Sequence, residues 1–416
     1  MTDEDHNQNQ PQPVQDDQAD QGDAFQVIDP QLLSDDTAPV AEQPEPAASA
    51  EVDEPAIPQA VIPEPETAQV EAQLQETQAA EEPVDMAFDV LSIGDIVTDA
   101  FIKLDEDQAV TYENEEGKWL AMKFGTKLPF DSAEVVQAVG NASNAAVAFA
   151  RLGLKSEFST NVGGDQEGRD MIAALQKEHV DSRLVHINPG KKSNYHYVLR
   201  YREERTILIK HEEYDYHWPQ IRPIEMPRWV YFSSISEHAI PFHDQVADWL
   251  DANPGVKLAF QPGTFQMEAG AARLERIYKR SEVLILNREE AVTVGGGNHE
   301  DVHDLINKLH DLGPKIVVVT DGPSGAYASD GENRFKMPLY PDPAPPVDRT
   351  GAGDAFASTF VAALIKGNAL EGALQWAPIN SMSVVQKLGA QAGLLTETEL
   401  ERFLEQAPDW YKPERF

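Results

Sequence analysis

Cysteine is absent from this sequence of 416 residues. Its absence excludes disulfides, thiolate metal sites and a cysteine nucleophile, and it is typical of proteins from a reducing compartment. Apolar runs long enough to cross a bilayer are also absent. The opening residues, Met1 to Asp5, lack the basic region and the apolar segment of a signal peptide. We therefore expect a cytoplasmic protein that does not insert into a membrane.

Basic residues are missing from residues 1–87, which contain 22 of the 71 acidic residues and none of the 33 basic ones. This segment is rich in Gln, Pro and Ala and poor in large apolar side chains, which is the composition of a disordered chain. We predict a disordered acidic tail at residues 1–87 and a folded domain at residues 88–416. The net charge of −38 disfavours direct binding to nucleic acid or to an anionic membrane.

The acidic tail has two interpretations. It can act as a solubilising segment, or residues 24–33, which include Phe25, Leu32 and Leu33, can fold on a partner protein as a docking arm. The sequence does not identify such a partner.

A turn of small residues, Gly351, Ala352 and Gly353, precedes Asp354 and opens an apolar helix. Small residues let the backbone lie against a ligand, and a helix N-terminus presents N–H groups and a positive dipole end to an anion. Such a corner binds phosphate. Asp354 would lie beside that anion and could accept a proton from an attacking hydroxyl. The stretch therefore predicts phosphoryl transfer to an alcohol, although the same residues could merely begin a helix.

Two stretches of the sequence resemble the signatures of one known family. Residues 347–356, Val-Asp-Arg-Thr-Gly-Ala-Gly-Asp-Ala-Phe, closely resemble the C-terminal signature of the PfkB carbohydrate kinases, the ribokinase family. Residues 139–153 resemble the N-terminal signature of the same family. The resemblance extends over most of residues 88–410 and implies a ribokinase-like fold, a phosphotransferase activity, ATP as co-substrate and Mg²⁺ as cofactor. In the proposed site, the Gly351 to Asp354 turn is the anion hole and Asp354 the general base.

Apolar strand patterns alternate with helical patterns along the folded part, with strands beginning near Trp229, Lys257, Val283 and Lys315. Such alternation predicts a mostly parallel central sheet covered by helices on both faces. Two further segments, near residues 109–128 and 194–211, alternate on either side of charged turns and predict hairpins. They could form a small β lid over the site, as the resemblance implies, or an edge of the main sheet.

The acceptor site that the resemblance implies comprises Asp99, Gly140, Asn141 and Asn144. Asp99 follows the first strand, where an aspartate can bind two substrate hydroxyls or can simply cap a turn. The N-terminal signature departs from the family at two positions: Val139 replaces the first glycine, and Asn141 stands where many sugar kinases have lysine. These departures leave the acceptor open.

The nucleotide site that the resemblance implies comprises Asn287, Thr320, Gly322, Gly325 and Asn380. Asn287 and Glu290 match an Asn-x-x-Glu motif that organises Mg²⁺ through water, and carboxylates suit Mg²⁺ because it keeps several waters. The same pair could instead be a helix-capping arrangement. Asp348 and Thr350 match residues that help to hold K⁺ in relatives activated by monovalent cations.

The sequence His299-Glu300-Asp301-Val302-His303 is a literal HExxH motif. On one helix the two histidines could bind Zn²⁺ with Glu300 as a base. The competing interpretation is a helix start with Asn298 as the N-cap and the histidines on a solvated surface. We favour this second interpretation, because no third ligand follows at the expected spacing.

Three functions remain open from the sequence. The first is a sugar kinase, and the second is a nucleoside kinase in which Tyr195, Tyr197 and Tyr201 could form an aromatic slot for the base. The same tyrosines could equally be ordinary strand aromatics. The third is a non-catalytic binding protein that uses the acidic tail for recruitment. Dimers of this family built through lid strands imply a homodimer, and the sequence leaves ATP or ADP open as the donor.

Overall fold

The structure is a computed structural model in which residues 88–115, 117–202 and 204–416 are described. The tail predicted at residues 1–87, with its docking segment 24–33, lies outside the described residues. The boundary after residue 87 stays a prediction.

The strands share short lengths and mostly buried patterns. In chain order they begin with β1 (Val90–Ile93), β2 (Val97–Leu104), β3 (Ala109–Asn114), β4 (Gly117–Met122), β5 (Phe130–Val139), β6 (Ser156–Gly163), β7 (Val185–Asn188), β8 (Tyr195–Tyr201) and β9 (Glu204–Leu208). They continue with β10 (Trp229–Phe232), β11 (Lys257–Phe260), β12 (Ser281–Asn287), β13 (Ile316–Thr320), β14 (Ala326–Ser329), β15 (Arg334–Met337) and β16 (Glu414–Arg415).

The described α-helices connect these strands. They are α1 (Asn141–Arg151), α2 (Gln166–Lys177), α3 (Phe242–Ala252), α4 (Thr264–Ala269), α5 (Glu275–Arg280), α6 (Arg288–Gly295), α7 (Val302–Asp311), α8 (Ala352–Ile365), α9 (Leu370–Val385) and α10 (Glu397–Glu405). None of the helices in the described ranges is long and apolar enough to span a membrane.

The main sheet has ten strands in the order β16-β15-β14-β13-β12-β11-β10-β1-β6-β7. The strands from β13 to β7 run parallel to their neighbours, and β14, β15 and β16 are added antiparallel at one edge. The mostly parallel sheet predicted from the strand and helix alternation is therefore confirmed. The carboxyl ends of its parallel strands lie along one edge, where an open α/β sheet binds ligands.

Both faces of the sheet are buried, because successive residues of a strand enter different cores. Val90 and Val283 pack into one apolar cluster with α8 and α9, while their neighbours Leu91 and Leu284 pack into a second cluster with α3 and α7. This alternation explains why the centre of β12, from Val283 to Leu286, is an uninterrupted apolar run.

A second sheet of four strands, in the order β5-β2-β8-β9, forms the small β lid, and we call it the lid sheet. The hairpin predicted near residues 194–211 is present as β8 and β9. The hairpin predicted near residues 109–128 is also present, as β3 and β4, but it forms a separate two-stranded sheet. Neither hairpin pairs with the main sheet, so the alternative of an edge of that sheet is wrong. The lid strands β2 and β5 were not predicted.

Candidate active site

The turn at Gly351 is fixed by close packing. Gly351 has φ 79° in the left-handed region and is the N-cap of α8. A Cβ at this position would lie 2.4 Å from Cβ of Ala390, so only glycine fits. The Ala352 N–H donates weakly to the Arg349 carbonyl at 3.4 Å. The N–H groups of Gly353 and Asp354, in the first turn of the helix, have no carbonyl partner within the helix, which is the arrangement that can bind an anion.

Asp354 lies at the start of α8 and is buried, with 8% of its surface exposed. Its Oδ1 accepts hydrogen bonds from Asn141 Nδ2 at 2.8 Å and from Gln261 Nε2 at 3.3 Å, and its Oδ2 accepts one from Asn144 Nδ2 at 2.8 Å. Burial raises the pKa of the Asp354 carboxyl, and the three amide donors oppose that rise. The carboxylate is therefore held in one orientation by donors alone, with a pKa moved towards that of a general base.

Two further side chains fix the amides around Asp354. Gln391 Nε2 donates to Asn144 Oδ1 at 3.0 Å and to the Ala138 carbonyl at 2.7 Å, which leaves Asn144 Nδ2 as the atom that meets Asp354. Tyr231 donates its hydroxyl to Gln261 Oε1. Burial raises the Tyr231 pKa well above its usual value, so that the hydroxyl remains a donor.

Gly140 brings the N-terminal signature against the first strand. Its φ of 121° lies in the region that favours glycine, and a Cβ would lie 2.8 Å from the Asp95 carbonyl oxygen. Because Gly140 is the N-cap of α1, this close approach places Asn141 and Asn144 on the helix turn that faces Asp354. Three of the four predicted acceptor-site residues are thus together.

The fourth predicted acceptor residue, Asp99, belongs to a second group of contacting side chains, next to the group around Asp354. It lies on β2 of the lid sheet, and its Oδ1 is 3.3 Å from His196 Nδ1 on β8. The two groups are connected through one short segment, since Gln261 contacts Asp354 and Phe265, four positions later, packs edge-on against His211. Asp95, which precedes β2, is buried and bonded to other side chains.

A cavity of about 440 Å³ lies on the other side of the Gly351 turn. It is lined by four of the five residues predicted for the nucleotide site together with residues of the turn and of α9, namely Asn287, Glu289, Thr320, Asp321, Gly322, Pro323, Gly325, Leu339, Ala352, Gly353, Phe356, Pro378 and Ser381. The cavity thus reaches the same N-terminus of α8 that carries Asp354.

Asn380 is the exception, and its predicted place in the nucleotide pocket needs correction. It is completely buried, donates from Nδ2 to Thr359 Oγ1 at 2.8 Å and accepts from the Leu395 N–H at 2.9 Å. Both ends of its amide are therefore used inside the protein. The residues of α9 that do line the cavity are Pro378 and Ser381.

Asn287 and Glu290 form a capping box at the start of α6. Asn287 Oδ1 accepts from the Glu290 N–H, and Glu290 Oε2 accepts from the Asn287 N–H, both at 2.8 Å. Burial raises the Glu290 pKa, and the negative charge of Asp354 raises it as well. The capping interpretation is thus correct. It does not exclude the Mg²⁺ interpretation, because Asn287 lines the cavity and the charge of Glu290 interacts with that of Asp354.

Asp348 accepts hydrogen bonds that order the loop before the Gly351 turn. Its Oδ1 accepts from the N–H and the hydroxyl of Thr350 at 3.0 and 2.8 Å, and its Oδ2 accepts from the Gly389 N–H at 3.0 Å. These bonds join the loop to the segment after α9.

The HExxH stretch does not form a metal site. Helix α7 begins only at Val302, with Asp301 rather than the predicted Asn298 as its N-cap, so His299 and His303 do not share a helical face. His303 Nδ1 instead contacts Arg334 at 3.1 Å. In the described ranges, no group of three or more His, Asp or Glu side chains is arranged to hold a metal ion.

Several residues of the site were missed by the sequence reasoning: Tyr231, Gln261, Gln391, Arg288, His196 and His211. Arg288, at the first position of α6, pairs with Asp321, which lines the cavity of about 440 Å³. Gln261 could have been found, since it directly follows the buried strand β11 at the edge of the sheet where ligands bind.

A buried carboxylate beside a helix N-terminus, with a cavity of about 440 Å³ at the same turn, is the arrangement expected of a phosphotransferase that acts on an alcohol group. The chain belongs to the pfkB family of carbohydrate kinases, whose family model matches residues 131–397.

Known proteins agree with this assignment. The chain is 26% identical over 285 residues to 5-dehydro-2-deoxygluconokinase of Bacillus subtilis, which covers 64% of this chain and 86% of that protein. It is 31% identical over 257 residues to cytidine kinase of Thermococcus kodakarensis, covering 61% and 87%. The structure of Arabidopsis thaliana ribokinase complexed with ribose and ATP has a TM-score of 0.63 and 21% identity, covering 77% of this chain and 99% of that one. This last likeness shows the ribokinase-like fold.

Proposed function

We propose that the protein transfers the γ-phosphoryl group of ATP to a hydroxymethyl group of a small sugar. The observation that carries the proposal is the place of Asp354. Its carboxylate is held by Asn141, Asn144 and Gln261 at the start of α8, while Gly353 of the same turn lines the nucleotide-sized cavity. Base and phosphate site therefore meet at one helix N-terminus.

In the proposed reaction Asp354 accepts the proton of the acceptor hydroxyl as its oxygen bonds to the γ-phosphorus. The bond from that phosphorus to the bridging oxygen breaks, and ADP leaves. The N–H groups of Gly353 and Asp354 stabilise the charge on the transferred group. A raised pKa suits Asp354 to this role, because a base is most effective when its pKa approaches the working pH.

Asp99, Gly140, Asn141 and Asn144 are proposed to bind the acceptor. Asn141 uses one amide hydrogen for Asp354, so its second N–H can donate to a substrate hydroxyl. Asp99 on the lid sheet would accept from other hydroxyls, and the lid sheet would exclude water when the acceptor is bound. A neutral amide at position 141 favours hydroxyl-rich neutral acceptors.

Glu290 and Asn287 are proposed to hold the water shell of Mg²⁺. The fit rests on charge, because the partly buried Glu290 and the buried Asp354 are two carboxylates whose repulsion contributes to the raised pKa of Glu290. Mg²⁺ would supply positive charge that neutralises the nucleotide phosphates. Asp348 and Thr350 are proposed to lie at a K⁺ site, and a rise in rate when K⁺ replaces Na⁺ tests that assignment.

The lid sheet is proposed to pair with a second copy of the chain. Many large apolar side chains of this region are exposed: Val110, Tyr112, Trp119, Met122, Phe124, Phe130, Val135, Tyr197, Ile207, Leu208 and Ile209. Such an accumulation marks an interface. Light scattering should give the mass of a dimer for the wild type and of a monomer for Ile207→Lys. Ile187→Lys, at an exposed position on β7, is the matched control and should leave the mass unchanged.

A nucleoside kinase is the second candidate, because the cytidine kinase of Thermococcus kodakarensis is 31% identical. The aromatic slot expected from Tyr195, Tyr197 and Tyr201 does not support it. These residues alternate along β8 with His196, which contacts Asp99, so they lie on the opposite face of the strand. Tyr201 instead donates to the Ala109 carbonyl at 2.8 Å. A purely non-catalytic role is disfavoured by the intact base and anion turn.

The test is a coupled assay of nucleotide turnover with Mg²⁺, run with ATP and with ADP over pentoses, hexoses, sugar acids and nucleosides. The proposal expects ATP-dependent turnover with one neutral sugar. Preferred turnover of a nucleoside would support the second candidate, and nucleotide binding without any turnover would contradict both. Because ATP is a cytoplasmic metabolite, we also propose a cytoplasmic location, which cell fractionation tests.

A further inference from the structure

Five polar side chains form one continuous chain of contacts beside the proposed acceptor site. Asp99 Oδ1 lies 3.3 Å from His196 Nδ1, and His196 Nε2 lies 3.3 Å from His211 Nε2. His211 Nδ1 lies 3.1 Å from Asp95 Oδ2, and the Tyr216 hydroxyl donates to Asp95 Oδ1 at 2.7 Å. We call this series, from Asp99 to Tyr216, the histidine bridge.

The histidine bridge joins the lid sheet to the main sheet. Asp99 on β2 and His196 on β8 are partners in the register of the lid sheet. His211 follows β9, and Asp95 lies in the connection after β1, where its N–H donates to the Ser234 carbonyl. The orientation of Asp99 on the lid is thus coupled to a buried carboxylate of the main domain.

The bridge has a definite proton count. His211 Nδ1 faces the Asp95 carboxylate and must carry a proton to donate to it. The two Nε2 atoms face each other, so one proton lies between them. With both rings neutral, these two protons are all that the pair has, and His196 Nδ1 would turn a bare lone pair towards the Asp99 carboxylate. One additional proton between His196 and Asp99 removes that repulsion.

The surroundings of the bridge contain few other charges. From β2 and the preceding connection the pair faces Asp99 and Asp95, and α4 contributes the apolar ring of Phe265. The segment after β9 contributes Glu212, which is paired with Lys210 at 2.7 Å, and the phenols Tyr214 and Tyr216. Among the described residues that contact the pair, the additional proton is therefore matched only by the two aspartates.

We propose that His196 and His211 are positioning residues that hold Asp99 for the acceptor through this one additional proton. The proposal rests on the proposed role of Asp99 as the ligand of the acceptor hydroxyls. Removing either ring takes away the contact chain that orients Asp99 and so weakens acceptor binding. Phosphoryl transfer itself depends on Asp354, which contacts neither histidine. We therefore expect kcat to stay unchanged when the histidine bridge is disrupted.

The kinetic test compares the wild type with His196→Gln, His211→Gln and the matched control His217→Gln, whose side chain is 70% exposed. D-ribose, D-fructose and cytidine serve as probes with ATP and Mg²⁺. We expect the KM of the acceptor to rise about tenfold in His196→Gln and His211→Gln, without a matching fall in kcat, and to keep its wild-type value in His217→Gln. A wild-type KM in either bridge variant, or a loss confined to kcat, would overturn the proposal.

A second measurement separates this proposal from the proposed function. Long-range proton–nitrogen NMR of the ligand-free protein counts the ring protons on His196 and His211 without any turnover. We expect three protons on the four ring nitrogens, as the contact geometry of the bridge requires. Two neutral rings would refute the bridge, even if the enzyme is active. If no probe is phosphorylated while the three protons are found, the proposed function fails and the bridge stands.

Discussion

Asn144 donates from Nδ2 to Oδ2 of Asp354 at 2.8 Å, although 210 positions separate the two residues in sequence. Asn144 belongs to the N-terminal signature and Asp354 to the C-terminal one. The two signatures therefore form one site, in which the first holds the carboxylate of the second. This relationship explains why a buried acid can remain an ordered acceptor at the N-terminus of α8.

Removing an amide donor from Asp354 should change the pH dependence of the reaction. The hydrogen bonds from Asn144, Gln261 and Asn141 oppose the rise in the Asp354 pKa, so Asn144→Ala should raise that pKa further. The acidic limb of the kcat profile should then move to higher pH, with a loss of about tenfold at neutral pH. Gln137→Ala, which removes an amide bonded to Asp170, is the control and should keep the wild-type profile. An unchanged profile in Asn144→Ala would contradict the claim that these amide donors set the Asp354 pKa.

Gly351→Ala should destabilise the protein as well as inactivate it. The new Cβ would lie 2.4 Å from Cβ of Ala390, and the residue would keep a φ of 79°. We expect a loss of about 2–4 kcal/mol in the free energy of unfolding, measured with urea. Gly255→Ala is the control, because no atom lies within 4 Å of its Cβ position, and it should unfold like the wild type. Equal stabilities of the two variants would argue against the tight turn.

Acid should destabilise the protein through His243. Burial lowers the pKa of His243 to about 4, while an unfolded histidine titrates near its usual value of 6.5. Between these two values the unfolded chain binds a proton that the folded protein does not, so stability falls as the pH falls through this range. The loss should be about 2 kcal/mol at pH 5 relative to pH 7. His243→Gln should show a shallower fall, and the exposed His217→Gln should retain the full one, in urea unfolding at both pH values.

Alkaline pH should destabilise the protein through Glu157. Burial, with repulsion from Asp181, raises the pKa of Glu157 to about 8 from its usual value of 4.5. Between these values the folded protein keeps a proton that the unfolded chain releases, so stability falls as the pH rises. Glu157→Gln should therefore be more stable than the wild type by about 1–3 kcal/mol at pH 7.5 and about equal at pH 4.5.

The control for Glu157 is a carboxylate shifted in the opposite direction. Arg151 lowers the pKa of Glu178 through a hydrogen-bonded pair, so Glu178→Gln should destabilise the protein at neutral pH. Thermal unfolding measures whether each of the two substitutions raises or lowers the stability of the protein. Stabilisation by both substitutions, or by neither, would contradict this electrostatic account.

The turn from Gly351 to Asp354 was predictable from its own residues, since glycine, a left-handed turn and a helix N-terminus recur together. Asn144 and the sheet were likewise predicted from a motif and from the alternation of strands and helices. Gln261 and Tyr231 were not predicted. The position of Gln261 after β11 marks it as a candidate, but its contact with Asp354, and that of Tyr231 with Gln261, arise only where β10 and β11 end beside α8. The strand β5 was missed because eight of its ten residues, from Phe130 to Gln137, are not buried and carry no clear alternation.

Two further features were not predicted correctly from the sequence: the face of β8 that meets the site, and the N-cap of α7. The sequence showed that β8 has two faces, but not which face meets the site, and His196 rather than the neighbouring tyrosines does so. Asn298 and Asp301 are both good N-cap residues, and the sequence alone did not decide between them. Asp301 caps α7 because its Oδ1 accepts from the N–H groups of both His303 and Asp304.

The measurement that tests the central claim most directly is the turnover of Asp354→Asn beside the wild type, with the acceptor found in the panel. Asparagine keeps the shape of the side chain and removes the base, so nucleotide binding by calorimetry should persist while kcat falls by about 10²–10⁴-fold. Asp170→Asn, at a partly buried acid bonded to Gln166, is the control and should retain wild-type turnover. An Asp354→Asn enzyme within tenfold of the wild type would contradict the assignment of Asp354 as the base.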